Sequence, residues 1–204
     1  MQSLTVGVLA DPGLPEKVAR RVAEDLPRAL AERSGPEISW TVEVSRETLP
    51  LTAEGNIPLL DKAGRLREEH GWDFVVYLTD LPRVHDGEPL LCEVGAADAA
   101  ALVSLPGLGA DHFSRKACRL LAALVGAIRD GAEDAPSPSA VHGALGRAAA
   151  RKVSSGEAGG AAYVVLPARM NRLRLLIGMI LSNKPGRLLP ALASCVAAAW
   201  SSPA

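Results

Sequence analysis

Trp72-Asp73-Phe74-Val75-Val76-Tyr77-Leu78-Thr79 reads as one apolar run closed by Asp80-Leu81-Pro82. A strand covered on both faces has no polar side to present, so a run of this kind predicts a central strand with a layer of structure above and below it. Upstream, Ile38, Trp40, Val42 and Val44 alternate with Ser39, Thr41, Glu43 and Ser45. That period of two marks a strand buried on one face and suits a position near the sheet edge. Residues 1–10 alternate in the same way and lack the basic flank and long apolar core of a signal peptide, so they are read as the first strand of a cytosolic domain.

Helical spacing fills the gaps between these strands. Pro15 opens a helix in which Val18, Val22, Leu26 and Leu30 recur every fourth residue, with Glu16, Arg20, Arg21, Glu24 and Arg28 on the other faces. Pro27 lies inside it and is expected to kink the helix or shift its boundary, because proline removes the donor to Ala23. A second helix is expected at about Pro58–His70 and a third from His112 to Arg129, the latter carrying Ala117, Leu120, Leu121, Leu124, Val125 and Ile128 inward. Pro89–Val94 and Ala99–Leu105 are separated by Gly95-Ala96-Ala97-Asp98, a hairpin-sized gap that places an antiparallel pair beside the parallel strands. The fold class is therefore α/β, a three-layer-like mixed sheet of about five strands with flanking helices, over residues 1–130.

Gly131 to Ser139 is rich in turn formers and reads as a linker. Residues 140–204 follow as a basic, apolar and largely helical region, with an Ala-rich helix at about Ala140–Lys152 and a strand at Ala161–Leu166. The whole chain has 204 residues and a net charge of −1, but the charges are segregated. Residues 1–134 hold 22 acids and 14 bases, a net of −8, whereas residues 135–204 hold one acid and eight bases, a net of +7. Three cysteines cannot pair completely, which excludes a disulfide scaffold and suits a reducing compartment.

Three turns that follow predicted strands supply candidate ligand residues: Asp11-Pro12-Gly13, Thr79-Asp80-Leu81-Pro82 and Pro106-Gly107-Leu108-Gly109. In α/β sheets ligands bind beyond the carboxyl ends of the strands, so Asp11, Thr79 and Asp80 are the polar candidates there, with Gly107 and Gly109 as a faint echo of a phosphate-binding turn. Asp and Pro after a strand are equally ordinary turn and cap chemistry. The glycine pair lacks the third glycine of a dinucleotide site and the Lys-Ser/Thr of a P-loop. His70, His85, His112 and His142 include no pair at three- or four-residue spacing, so no metal site is assigned. Ser104 lies in a strand and Cys92 and Cys118 on core faces, so no catalytic residue and no cofactor is assigned. Nucleic acid is not expected as a partner, because the folded part is acidic.

In the carboxyl-terminal region Arg169, Arg172, Arg174, Lys184 and Arg187 stand among long apolar runs, and Leu188–Trp200 contains no charge. A full membrane span needs roughly 20 apolar residues, more than either run supplies alone. Bases beside apolar segments are the pattern of the cytoplasmic side of a membrane. The competing reading is an amphipathic helix that forms a homodimer.

The stretches Gly71–Pro82, Ala101–Ala110, Arg172–Met179 and Asn183–Pro190 together resemble an uncharacterised family of actinobacterial membrane proteins. That resemblance covers nearly the whole chain and implies a cytosolic amino-terminal α/β domain, truncated where the first membrane span begins; it carries no catalytic residues. The order of elements is also similar to that of minimal zincin metalloproteases, but their His-Glu-x-x-His is replaced by His112-Phe113-Ser114-Arg115-Lys116-Ala117-Cys118-Arg119-Leu120, which implies no zinc site. The expected function is a non-catalytic regulatory or interaction domain on the cytoplasmic side of the cell membrane, with the membrane surface or transmembrane region as partner. The alternative is a small-ligand-binding or hydrolytic domain using the strand-end residues.

Overall fold

The computed structural model describes residues 2–53, 55–85, 88–108, 112–131, 151–154 and 162–165. Its element order is β1 (Gln2–Ala10), α1 (Leu14–Ser34), β2 (Ile38–Ser45), α2 (Leu59–His70), β3 (Phe74–Thr79), β4 (Arg83–His85), β5 (Glu88–Gly95), β6 (Ala100–Ser104), a 3₁₀ turn (Leu105–Leu108), α3 (Phe113–Arg129), β7 (Arg151–Ser154) and β8 (Ala162–Val165). The five strands expected from the sequence form one contiguous run, β2-β1-β3-β6-β5, in which β5 alone is antiparallel. β8 and β7 extend the sheet beyond β5, and β4 pairs with β5 off the main path.

Each strand takes the place its side chains dictate. β3, apolar at every position, lies between β1 and β6 with all six residues buried. The alternating β2 is outermost at the other end among the described residues. Along β1 the period of two sorts the residues: Leu4, Val6, Val8 and Ala10 pack with α1 and α3, while Leu9 packs with α2 on the opposite face. The two helices part company because β1→β2 and β2→β3 run in opposite directions along the sheet, and right-handed crossovers in opposite directions place their helices on opposite faces. α3 returns to the α1 side and buries Leu120, Leu121, Leu124 and Val125 there.

One expectation is narrowed and one corrected. α1 runs as one helix from Leu14 to Ser34 with Pro27 inside it, so the proline does not shift the boundary; Val22, Leu26 and Leu30 are all buried around it, and that packing holds the turn across one missing hydrogen bond. Arg151 and Lys152, expected at the end of a helix, belong instead to β7, where ladder pairing with Val165 and Val164 of β8 overrides the helical preference of the Ala-rich stretch before them. β8 falls within the expected strand at 161–166, and Val164 is buried in the same core as α1 and α3. Residues 132–150, Gly109, and the basic and apolar segments from Arg169 through Trp200 lie outside the described residues. No helix among the described residues is long and apolar enough to cross a membrane.

Candidate functional site

The strand order reverses between β1 and β3, and such a reversal leaves a crevice beyond the carboxyl ends of the two strands. The same period of two that sorts the core decides which side chains reach it. Asp11, one residue past β1, and Tyr77 and Thr79 of β3 all fall on the α2 side. There Asp11 accepts one hydrogen bond on each carboxylate oxygen: the Tyr77 hydroxyl donates to Oδ1 at 2.6 Å and Thr79 Oγ1 donates to Oδ2 at 2.6 Å.

The network reaches into the surrounding loops. Leu49 N donates to the Tyr77 hydroxyl at 3.2 Å, which fastens the β2–α2 loop over the crevice. Leu81 N donates to Thr79 Oγ1 at 3.0 Å, and Ser104 Oγ at the end of β6 donates to the Leu81 carbonyl at 3.0 Å. The Asp11 backbone is fixed as well, its N–H donating to Leu78 O and its carbonyl accepting from Glu16 N. Gly13 completes the turn into α1 at φ +105°, a left-handed conformation that residues with a Cβ rarely adopt. Asp11 thereby stands beside the amino terminus of α1, whose partial positive charge favours a carboxylate.

Burial raises the Asp80 carboxyl above its ordinary value, and the neighbouring charge of Asp11 raises it further. Burial, and then its hydrogen bond to Asp11, pushes the Tyr77 phenol up as well, so Tyr77 remains a donor throughout the physiological range. A carboxylate held neutral longer in the folded state than in the unfolded chain costs stability once it ionises. That cost is absent below the ordinary value near 3.8 and fully present above the raised folded value. Asp80→Asn is accordingly expected to be more heat-stable than the parent at pH 7, with the gap closing as pH falls toward 4. Melting curves across that range check it, and an Asp80→Asn protein less stable at pH 7 would contradict it.

Acceptors with a net negative charge dominate this crevice, which suits a ligand bearing positive charge or several N–H or O–H donors. Other chemistry is poorly served by the groups nearby. Ser104 is buried and already committed to Leu81 O. The Cys92 thiol is buried and pushed up to about 12, far from the thiolate a nucleophile needs. His70 stacks on Trp72 with ring centroids 4.2 Å apart and lies 3.4 Å from Glu47. Among the described residues, no three His, Cys, Asp or Glu side chains converge as metal ligands would.

Of the residues expected at the strand ends, Asp11, Thr79 and Asp80 come together. Gly107 does not open onto them: it is buried in the 3₁₀ turn, where a Cβ would stand 3.1 Å from Leu91 Cδ1 of β5. Tyr77 was hidden within an apolar run. The signal for it was its position two residues before Thr79 and on the face of Asp11, where a phenol can bury its ring and still offer its hydroxyl. Compared with protein-family models, with curated proteins and with solved structures, the chain matches none.

Proposed function

We propose that the α/β domain binds a small ligand in the acidic crevice at the carboxyl ends of β1 and β3, selecting molecules that carry a positive charge or several hydrogen-bond donors. The observation that supports this reading is Asp11, held at both oxygens by Tyr77 and Thr79 at the point where the strand order reverses, with Asp80 beside it. A turn aspartate with only a structural task has no need of a second carboxyl nearby that burial and like charge both oppose. The test is thermal-shift screening of the full chain against divalent cations, amines and polyols. Stabilisation by one of these classes in the parent, lost in Asp11→Asn, is the expected result; no stabilisation by any class would overturn the proposal.

A second reading concerns location and rests on the charge split between an acidic domain and a region of net +7. We infer that the bases among the apolar runs, Arg169, Arg172, Arg174, Lys184 and Arg187, hold the protein at an anionic membrane surface. Each base near such a surface contributes about 1 kcal/mol. The double change Arg172→Gln with Arg174→Gln should therefore weaken binding to anionic vesicles by roughly 30-fold, read by co-sedimentation. Binding equal to that on neutral vesicles would dismiss the idea.

A further inference from the structure

α1 and α3 lie side by side on the face of the sheet opposite Tyr77, and their outer seam forms a groove of about 700 Å³. That volume lies within the range of small-molecule sites, roughly 300–1,000 Å³. Arg21, Asp25 and Arg28 line it from α1, Arg115 and Arg119 from α3, and the buried Cys118 borders it from the α3 side. Arg28 of α1 and Arg119 of α3 belong to the lining of this one groove, so each helix contributes a guanidinium to it. Arg21 is answered by Glu24 at 3.2 Å, and Arg28 reaches Glu32 only at 3.9 Å. Arg115 and Arg119 make no ion pair among the described residues. Four guanidinium groups thus face three acids, the lining Asp25 and Glu32 and the Arg21 partner Glu24, and among these residues the groove keeps a positive excess in a domain that is otherwise strongly acidic.

The first turn of α3 opens at the same groove: Phe113, Ser114 and Arg115 belong to its lining, and among the described residues no side-chain hydrogen bond caps the helix. Uncapped first-turn N–H groups and arginine forks are both donors suited to phosphate oxygens. We propose that the α1–α3 seam is a binding site for a phosphate-bearing small molecule, clasped between Arg28 on α1 and Arg115 and Arg119 on α3. A phosphoryl group has enough oxygens to take a fork from each helix at once. The site is separate from the acidic crevice, which lies on the other face of the sheet and selects the opposite charge.

Isothermal titration of the full chain with inorganic pyrophosphate, against sulfate at matched ionic strength, tests the proposal. Pyrophosphate should bind more tightly than sulfate, and Arg115→Ala with Arg119→Ala should weaken it by roughly tenfold or more. Asp11→Asn should leave it unchanged, so the two sites succeed or fail independently. The double variant removes two exposed side chains, and its circular dichroism should match the parent's. Binding that survives in that variant but is lost in Arg172→Ala with Arg174→Ala would overturn the proposal by placing the anion on the basic segment. Absence of pyrophosphate binding at millimolar concentration would overturn it as well.

Discussion

Gly7→Ala is expected to destabilise the domain by about 3 kcal/mol, the upper end for overpacking a core by one methyl group. A Cβ at this position would stand 2.0 Å from Trp72 Cε3 and 2.1 Å from Cδ2, distances no real pair of carbons tolerates. The indole has little room to yield. It is 5% exposed, donates its Nε1–H to Glu43 at 2.9 Å and stacks on His70. The next residue is clamped to β1: Asp73 N donates to Thr5 O at 2.9 Å and Asp73 Oδ2 accepts from Thr5 N at 2.7 Å. Admitting the methyl group therefore requires breaking the Glu43 contact or bowing β1, which carries β2 on one side and β3 on the other. Urea denaturation reads the effect as a lower midpoint with an unchanged slope. Gly7→Ala combined with Trp72→Leu should recover part of the loss relative to Trp72→Leu alone, since the smaller side chain makes room. A Gly7→Ala midpoint equal to the parent's would show that the indole does not lie against the strand.

This contact also marks how far the sequence could be read. The alternation of β2, the apolar run of β3 and the four-residue spacing of α1 each report which faces are covered, and burial is the same property that sets strand order, so edge and centre were legible. Glycine in a strand reports only that something comes close, and Trp72, sixty-five residues away, carries no local sign that it is the partner. That Pro27 does not shift the boundary of α1 was illegible for a related reason: local propensity allows the helix to end there, and the burial of Leu26 and Leu30 against other elements decides otherwise. β4, three residues long, is too short for any periodicity to show. At the site, Asp11, Thr79 and Asp80 could be named from their positions after strands. Their convergence depends on β1 and β3 being neighbours, and the part of Tyr77 depends on a face assignment that only the register supplies.

Asp11→Ala should cost the domain about 2–4 kcal/mol, because it strands two hydroxyls at once. Thr79 is completely buried and Tyr77 likewise, and both aim their protons at this one carboxylate. Without it each buried donor loses its acceptor, and an unmet buried donor costs more than the hydrogen bond was worth. Asp11→Asn keeps one acceptor oxygen and should lose about half as much. If the cost comes from the stranded donors, removing one of them must reduce it. Asp11→Ala with Tyr77→Phe should then be less destabilised than the sum of the two single changes, by roughly 1 kcal/mol or more in a double-mutant cycle. Strict additivity would mean that the Tyr77 hydroxyl is satisfied elsewhere and that Asp11 is not the hub of the crevice. The opposite sign expected for Asp80→Asn makes the pair diagnostic. One carboxylate is stabilised by its neighbours and the other is opposed by them, and a ligand that bridges the two should raise the melting temperature of the parent more than that of Asp80→Asn.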